Sequence, residues 1–346
     1  MKTHPKATAG TLALLLLLMY AHVSAQQVAP KPPGRLVDVG GYRLHLDCKG
    51  AGRPTVVLIA GAGDFSFDWA LVQPRAARFA RVCSYDRAGL AWSDLGPTPR
   101  TMRQDAHELR TLLARAGISP PYVLVGHSVG GLIARVYAEH YPGEVAGLVL
   151  VDSTTEETTL NYQGKVVRVR DSAKGTPVPT VQTLTASPPQ PPTEDDLKQA
   201  EFNRQVFGPP KIEPPFDRLP RAAQARRLWA LSNPKLSAAA EDFWAEELRE
   251  LHEARAQKAR QLGDLPLVVI VGGRDEPAPP GVTAEEWRRL SAEKRQQKEA
   301  LVGLSTAGTL RVAARSGHHV QLEEPALVVE AVRQVVRSAP RRRARP

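Results

Sequence analysis

The stretch "LVGHSVGG", residues 124–131, sets a serine among glycines. Gly126, Ser128 and Gly130 stand in Gly-x-Ser-x-Gly spacing, and Gly131 follows. The apolar run Tyr122-Val123-Leu124-Val125 precedes it and reads as a strand. After it, Val129, Leu132, Ile133 and Val136 fall on one face of a helix over 129–140. A serine hydroxyl is a weak nucleophile that needs an adjacent base. A tight glycine-flanked turn from strand to helix lifts such a side chain above the sheet. The helix start then brings backbone N–H groups close to the reacting oxygen. The blander alternative is a glycine-rich turn that binds phosphate, or nothing. The strand before and the helix after weigh against it.

Outward from this turn, apolar strands alternate with helices. Strands are expected at 55–59, 81–85, 122–125 and 145–151, with helices at 68–80, 102–116 and 129–140. Residues 36–39 and 42–48 read as a hairpin around Gly40-Gly41. Over 153–262 the alternation stops. Residues 176–193 are rich in Pro, Thr and Ser, and helices are expected only at 222–231 and 238–261. It resumes with strands at 265–271 and 309–314 and helices at 284–301 and 325–338. This pattern predicts an α/β fold with a mostly parallel sheet covered on both faces. The core spans 35–152 and 263–338, with 153–262 inserted as a helical cap.

The chain has 346 residues, 42% of them apolar but only 5% aromatic, so Leu, Val and Ala must build the core. Lys2 and Lys6, the apolar run 12–20 and the small residues Val23-Ser24-Ala25 form the three-part pattern of a secretory signal over 1–25. The run is too short to span a bilayer. The expectation is a secreted or periplasmic protein, with a linker at 26–34 and no integral membrane segment once the signal is removed. Removing two lysines and no acid lowers the net charge from +10 to +8. Much of the excess lies in a basic tail at 339–346, read as a solvated end. No nucleic-acid module is recognisable.

A nucleophile–base–acid set on this architecture runs in the order Ser, acid, His. The strand 267–271 leads to Asp275, and the strand 311–314 leads to His318. His318 can take the Ser128 proton and return it to the leaving group, while Asp275 holds the ring. Asp152, after the strand 148–151, is the rival acid, and His319 the rival base. Asp86 precedes Ser128 and does not fit the order. His127 reads as structural or as part of a subsite. The oxyanion needs preorganised donors. The Val129 N–H, directly after the serine, is one, and the Ala62 N–H in the glycine loop 60–64 is proposed as the other.

Four motifs, "VVLIAGAGDFSFDW", "YDRAGLAWSD", "VGHSVGG" and "SGHHVQLEEP", make the chain resemble the α/β-hydrolase superfamily, in its cap-bearing serine hydrolase branch. The resemblance covers about 35–338, the insertion matching in position only. It implies an eight-stranded sheet, acyl-hydrolase chemistry and no cofactor. It also implies that 85–94 is a structural loop in which Arg87 and Ser93 tie neighbouring loops. Many members carry His-Gly where this chain has Ala60-Gly61. A serine rather than an aspartate at the elbow argues for acyl transfer to water. The strand order of that fold makes the ends near Cys48 and Cys83 neighbours, so the pair is either a disulfide or two buried thiols. No pattern around them suggests a metal. The expected partner is a small-molecule ester, or an amide if an acid such as Glu201, Glu241 or Glu246 holds a substrate amine. A non-catalytic binding protein on the same fold is the remaining alternative.

Overall fold

The computed structural model describes residues 29–162, 165–182, 191–239, 242–257, 261–275, 277–278 and 281–339. All elements below belong to the unit Pro32–Pro346. The expected signal at 1–25 and all of the expected basic tail but Ala339 lie outside the described residues.

The strands are β1 (Arg35–Asp38), β2 (Arg43–Lys49), β3 (Thr55–Ile59), β4 (Val82–Tyr85), β5 (Tyr122–His127), β6 (Val145–Val151), β7 (Thr159–Tyr162), β8 (Lys165–Arg168), β9 (Leu267–Gly272) and β10 (Gly308–Ala313). The longer helices are α1 (Met102–Arg115), α2 (Val129–His140), α3 (Glu194–Phe207), α4 (Arg221–Leu231), α5 (Trp244–Gln257), α6 (Ala284–Glu299) and α7 (Pro325–Ser338). Eight strands form one sheet in the order β1-β2-β4-β3-β5-β6-β9-β10. It is parallel from β4 through β10 and antiparallel at β1 and β2.

The central strands β3, β5 and β6 are buried at every position, which is why they read as unbroken apolar runs. Side chains two apart share a face. Val57, Leu124, Leu150 and Val269 therefore meet Leu109, Leu112, Leu132 and Ile133 of α1 and α2 on one side. Val56, Leu58, Val123, Val149 and Ile270 meet Val328, Val332 and Val335 of α7 on the other. Thr101 caps α1 by accepting from the Gln104 N–H at 3.0 Å.

Between β6 and β9 the chain leaves the sheet, as expected, but the insertion is not wholly helical. β7 and β8 form an antiparallel ribbon of their own. Each strand has four residues, too short to show a period. The helix α3 was also not anticipated. It starts at a capping box between Thr193 and Asp196 and buries no side chain, so no apolar stripe announces it. The expected helix 68–80 is instead two single turns, Ser66–Trp69 and Gln73–Ala76. The insertion is anchored at two places. Leu248 and Leu251 of α5 join the core of α1 and α2. Ala223, Trp229 and Ala230 of α4 pack on Phe65, Phe67, Leu90 and Trp92 of the loops at the sheet edge.

The antiparallel register of β2 and β4 sets Cys48 opposite Cys83, and the two are joined as a disulfide.

Candidate active site

Ser128 sits between β5 and α2 with φ 52° and ψ −125°. A positive φ is strained for a residue with a Cβ, and strain of this kind collects at functional sites. The glycines are there for close approach. A Cβ on Gly126 would lie 2.2 Å from the Gly130 carbonyl oxygen, and one on Gly130 would lie 2.3 Å from the Ile59 carbonyl oxygen. The turn closes only because both Cβ atoms are missing. Ser128 Oγ lies 3.3 Å from Thr154 Oγ1, at the start of the insertion.

His318 follows β10, as expected. Its partner is not the expected one. His318 Nδ1 lies 2.6 Å from Asp152 Oδ2, whereas Asp275 Oδ1 accepts from Arg295 Nη2 at 2.9 Å with its side chain 75% exposed. The expected role of Asp275 as the acid behind His318 is thus corrected to Asp152. The reason lies in the path of the chain before His318. The Ser316 carbonyl accepts from the Arg274 N–H at 2.9 Å, and a Cβ on Gly272 would sit 2.4 Å from the Gly317 carbonyl oxygen. The loop therefore crosses directly over the end of β9 and delivers the imidazole to the end of β6. Asp152 caps that strand with φ 40°, a second strained non-glycine residue.

Asp152 is buried and fully engaged. Oδ1 accepts from the Gly272 N–H at 3.0 Å, and Oδ2 accepts from Lys298 Nζ at 2.5 Å as well as from His318. Burial pushes this carboxyl up, but Lys298 and His318 outweigh it and hold Asp152 well below the usual carboxylate range. It stays an anion, able to fix the ring and to stabilise its protonated form. Ser128, Asp152, Thr154, Lys298 and His318 line one cleft of about 260 Å³.

Val129 is the first residue of α2, so its N–H belongs to the four first-turn amides without an intrahelical acceptor. Ala62 is exposed on the loop after β3. That loop lies against Ser128: a Cβ on Gly61 would be 3.1 Å from Ser128 Cβ. Arg87 holds it from behind, donating to the carbonyls of Ala60 at 2.6 Å and Gly61 at 3.1 Å. Ser93 Oγ donates to the Asp86 carbonyl at 2.6 Å and accepts from the His45 N–H at 3.0 Å. His127 Nε2 donates to the His318 carbonyl at 3.0 Å, which ties the elbow to the histidine loop. Asp64, His127 and His319 adjoin the elbow, one ligand-type atom from each within 4.8 Å of the others.

Sequence reasoning missed Lys298 and Thr154. A lysine in the last turn of a strongly polar helix carries no signal, and only the fold aims it at Asp152. Asp152 did carry one: it too stands after Ser128 and before His318, at the end of an all-apolar strand.

The model of the Alpha/beta hydrolase family matches residues 56–331. Among curated proteins, a "Probable transporter efuK" from Hormonema carpetanum is 36% identical over 131 residues, 36% of this chain and 19% of that protein. An "AB hydrolase superfamily protein" from Gibberella zeae is 26% identical over 316 residues, 85% of this chain and 91% of the relative. The chain spans only 19% to 50% of the length of the first curated relatives it matches. Among solved structures, a thermophilic esterase from Thermogutta terrifontis superposes with a TM-score of 0.57 at 22% identity, covering 86% of this chain and 93% of that one. At that identity the likeness shows the fold. The sheet order and a family match running from β3 into α7 lead to one conclusion: the chain belongs to the alpha/beta hydrolase family.

Proposed function

We propose that this hydrolase cleaves carboxylic esters through an acyl-enzyme at Ser128. The observation that carries the reading is His318 Nδ1 held 2.6 Å from Asp152 in the cleft that Ser128 lines. With Nδ1–H given to the carboxylate, Nε2 is the nitrogen left to take the serine proton. Ser128 Oγ attacks the ester carbon, the oxyanion is met by the N–H groups of Val129 and Ala62, and His318 returns the proton to the leaving alcohol. Water, activated by the same ring, then releases the acid. No cofactor is required. The insertion supplies Thr154, Thr155 and Thr158 to the cleft wall and acts as its lid. We also propose that the enzyme works after export, supported by the leader pattern of 1–25 and by the disulfide.

Ester rather than peptide cleavage is favoured by the charge of the cleft. Its wall carries Arg274, Lys294, Arg295 and Lys298, and its only described acids are Asp152 and Asp275. Glu201 pairs with Arg204 and Glu246 accepts from the Lys174 N–H, both outside this lining, while Glu241 lies outside the described residues. Asp152 is engaged by His318 and Lys298 and Asp275 by Arg295, so both described lining acids are already paired with cationic or imidazole groups.

Hydrolysis of p-nitrophenyl acetate, butyrate and octanoate by the exported protein, beside Ser128→Ala, tests the proposal. Activity lost by several orders of magnitude in the variant is expected. A folded wild type inactive on all three esters would overturn it and turn attention to amides or to a binding role.

A further inference from the structure

His127 is 1% exposed, and one of its ring nitrogens has no hydrogen-bond partner. Nε2 faces the His318 carbonyl at 3.0 Å, so it must carry the hydrogen. In the neutral ring Nδ1 is then a bare lone pair. Nδ1 faces Asp64 Oδ2 at 3.3 Å, an ion-pair distance, but the two are not aligned as a good hydrogen bond. A lone pair set against a carboxylate oxygen calls for something positive between them, a proton or a metal ion. Arg227 is not that group, since it lies 3.3 Å from the other oxygen, Asp64 Oδ1, and also bonds Asp68.

The residues around this pair offer the donor set of a metal site. Two ligands each about 2.1 Å from a tetrahedral zinc ion lie about 3.4 Å apart, close to the separation seen. His319 offers a third ligand atom, within 4.8 Å of both others. Gly61 keeps the space open: a Cβ there would sit 3.0 Å from both Asp64 Oδ2 and His127 Nδ1. The Nε2–H bond to the His318 carbonyl also fits, because a ligating histidine commonly gives its other N–H to a backbone carbonyl. Two imidazoles and one carboxylate suit zinc-class ions rather than magnesium or calcium.

We propose that Asp64 Oδ2, His127 Nδ1 and His319 bind one divalent transition-metal ion of the zinc class, with a fourth position left open. Such an ion joins three loops at once: the glycine loop after β3, the elbow and the histidine loop. His127 directly precedes Ser128 and His319 directly follows His318, so the ion braces both ends of the catalytic pair.

The test uses untagged, exported protein, stripped with a chelator, reloaded with Zn²⁺ and gel-filtered. Metal content is read by mass spectrometry, for the wild type, Asp64→Asn, His127→Asn, His319→Gln and the exposed control His140→Gln. About one zinc per chain is expected in the wild type and the control, and under a tenth of that in the three ligand variants. Co²⁺ should give the wild type the visible absorption of a tetrahedral site, lost in His319→Gln. Circular dichroism establishes which variants are folded, and any one folded ligand variant suffices. Zinc retained equally by the ligand variants, or absent from the wild type, would overturn the site and leave a proton in its place. Metal content does not depend on turnover, so this proposal and the esterase reading fail separately.

Discussion

His318 Nδ1 reaches Asp152 Oδ2 across 2.6 Å, although the histidine follows β10 and the aspartate follows β6, with β9 lying between those strands in the sheet. The carboxylate is buried and receives three donors, from Gly272, Lys298 and His318. Asp275 is exposed and engaged by Arg295. Asp152→Asn should therefore lower kcat for p-nitrophenyl butyrate by about 10³–10⁴-fold, because an amide no longer holds the required tautomer. Asp275→Asn should stay within about threefold of wild type, as expected for an exposed pair. The reverse ranking would restore Asp275 as the acid.

Lys298 shares an oxygen of Asp152 with His318. Lys298→Met keeps most of the length of the side chain and removes the charge, leaving a buried carboxylate short of one partner. Loss of such a partner costs about 1–3 kcal/mol. Chemical denaturation should show that decrease, together with a lower kcat and little change in KM. An unchanged unfolding midpoint would mean that the contact carries no weight.

Glu156 gives a pH prediction. It is buried between Arg135 at 2.7 Å and Arg255 at 2.8 Å, linking the start of the insertion to α2 of the core and to α5 of the insertion itself. Burial pushes its carboxyl up, but the two guanidinium groups outweigh this and bring it down to about 2. A folded-state value below the unfolded one contributes stability above the ordinary glutamate range, and that contribution is lost as pH falls toward the folded value. Glu156→Gln should cost about 3–5 kcal/mol at pH 7, the range for breaking a buried pair. The gap to wild type should narrow as pH falls from about 4.5 toward 2. Melting temperatures of both proteins across that window check it, and a constant gap would contradict it.

Cys48 and Cys83 are 35 residues apart in sequence, so their bond closes a loop of moderate size. Removing it in Cys48→Ser/Cys83→Ser should cost about 3–4 kcal/mol. Reductant should lower the urea midpoint of the wild type and leave the double variant unchanged. Protein recovered from the periplasm or medium should show no free thiol when denatured. Free thiols there, or recovery only from the cytoplasm, would oppose the export proposal.

What could be read from residues alone follows the range of the forces involved. The buried strands were legible because parallel strands covered on both faces must be apolar throughout, as in Thr55–Ile59 and Val145–Val151. The elbow was legible because its backbone closes only with glycine at 126 and 130, a constraint spanning five residues. The ribbon β7–β8 and the helix α3 were not, since short or solvated elements bury too little to imprint a period.

The identity of the acid was beyond the sequence for a different reason. Asp152 and Asp275 both end parallel strands, and both fall between Ser128 and His318. Chain order cannot separate them. The choice was made where residues 316–317 cross over Gly272 and Arg274 and carry the imidazole past β9 to β6. By itself, then, the sequence determined the sheet, its two covered faces and the glycine-flanked turn that carries Ser128, because those rest on local pattern. Only the tertiary structure decided which carboxylate meets the histidine, that Lys298 joins them, and that Asp64, His127 and His319 converge, because each depends on contacts between segments far apart in the chain.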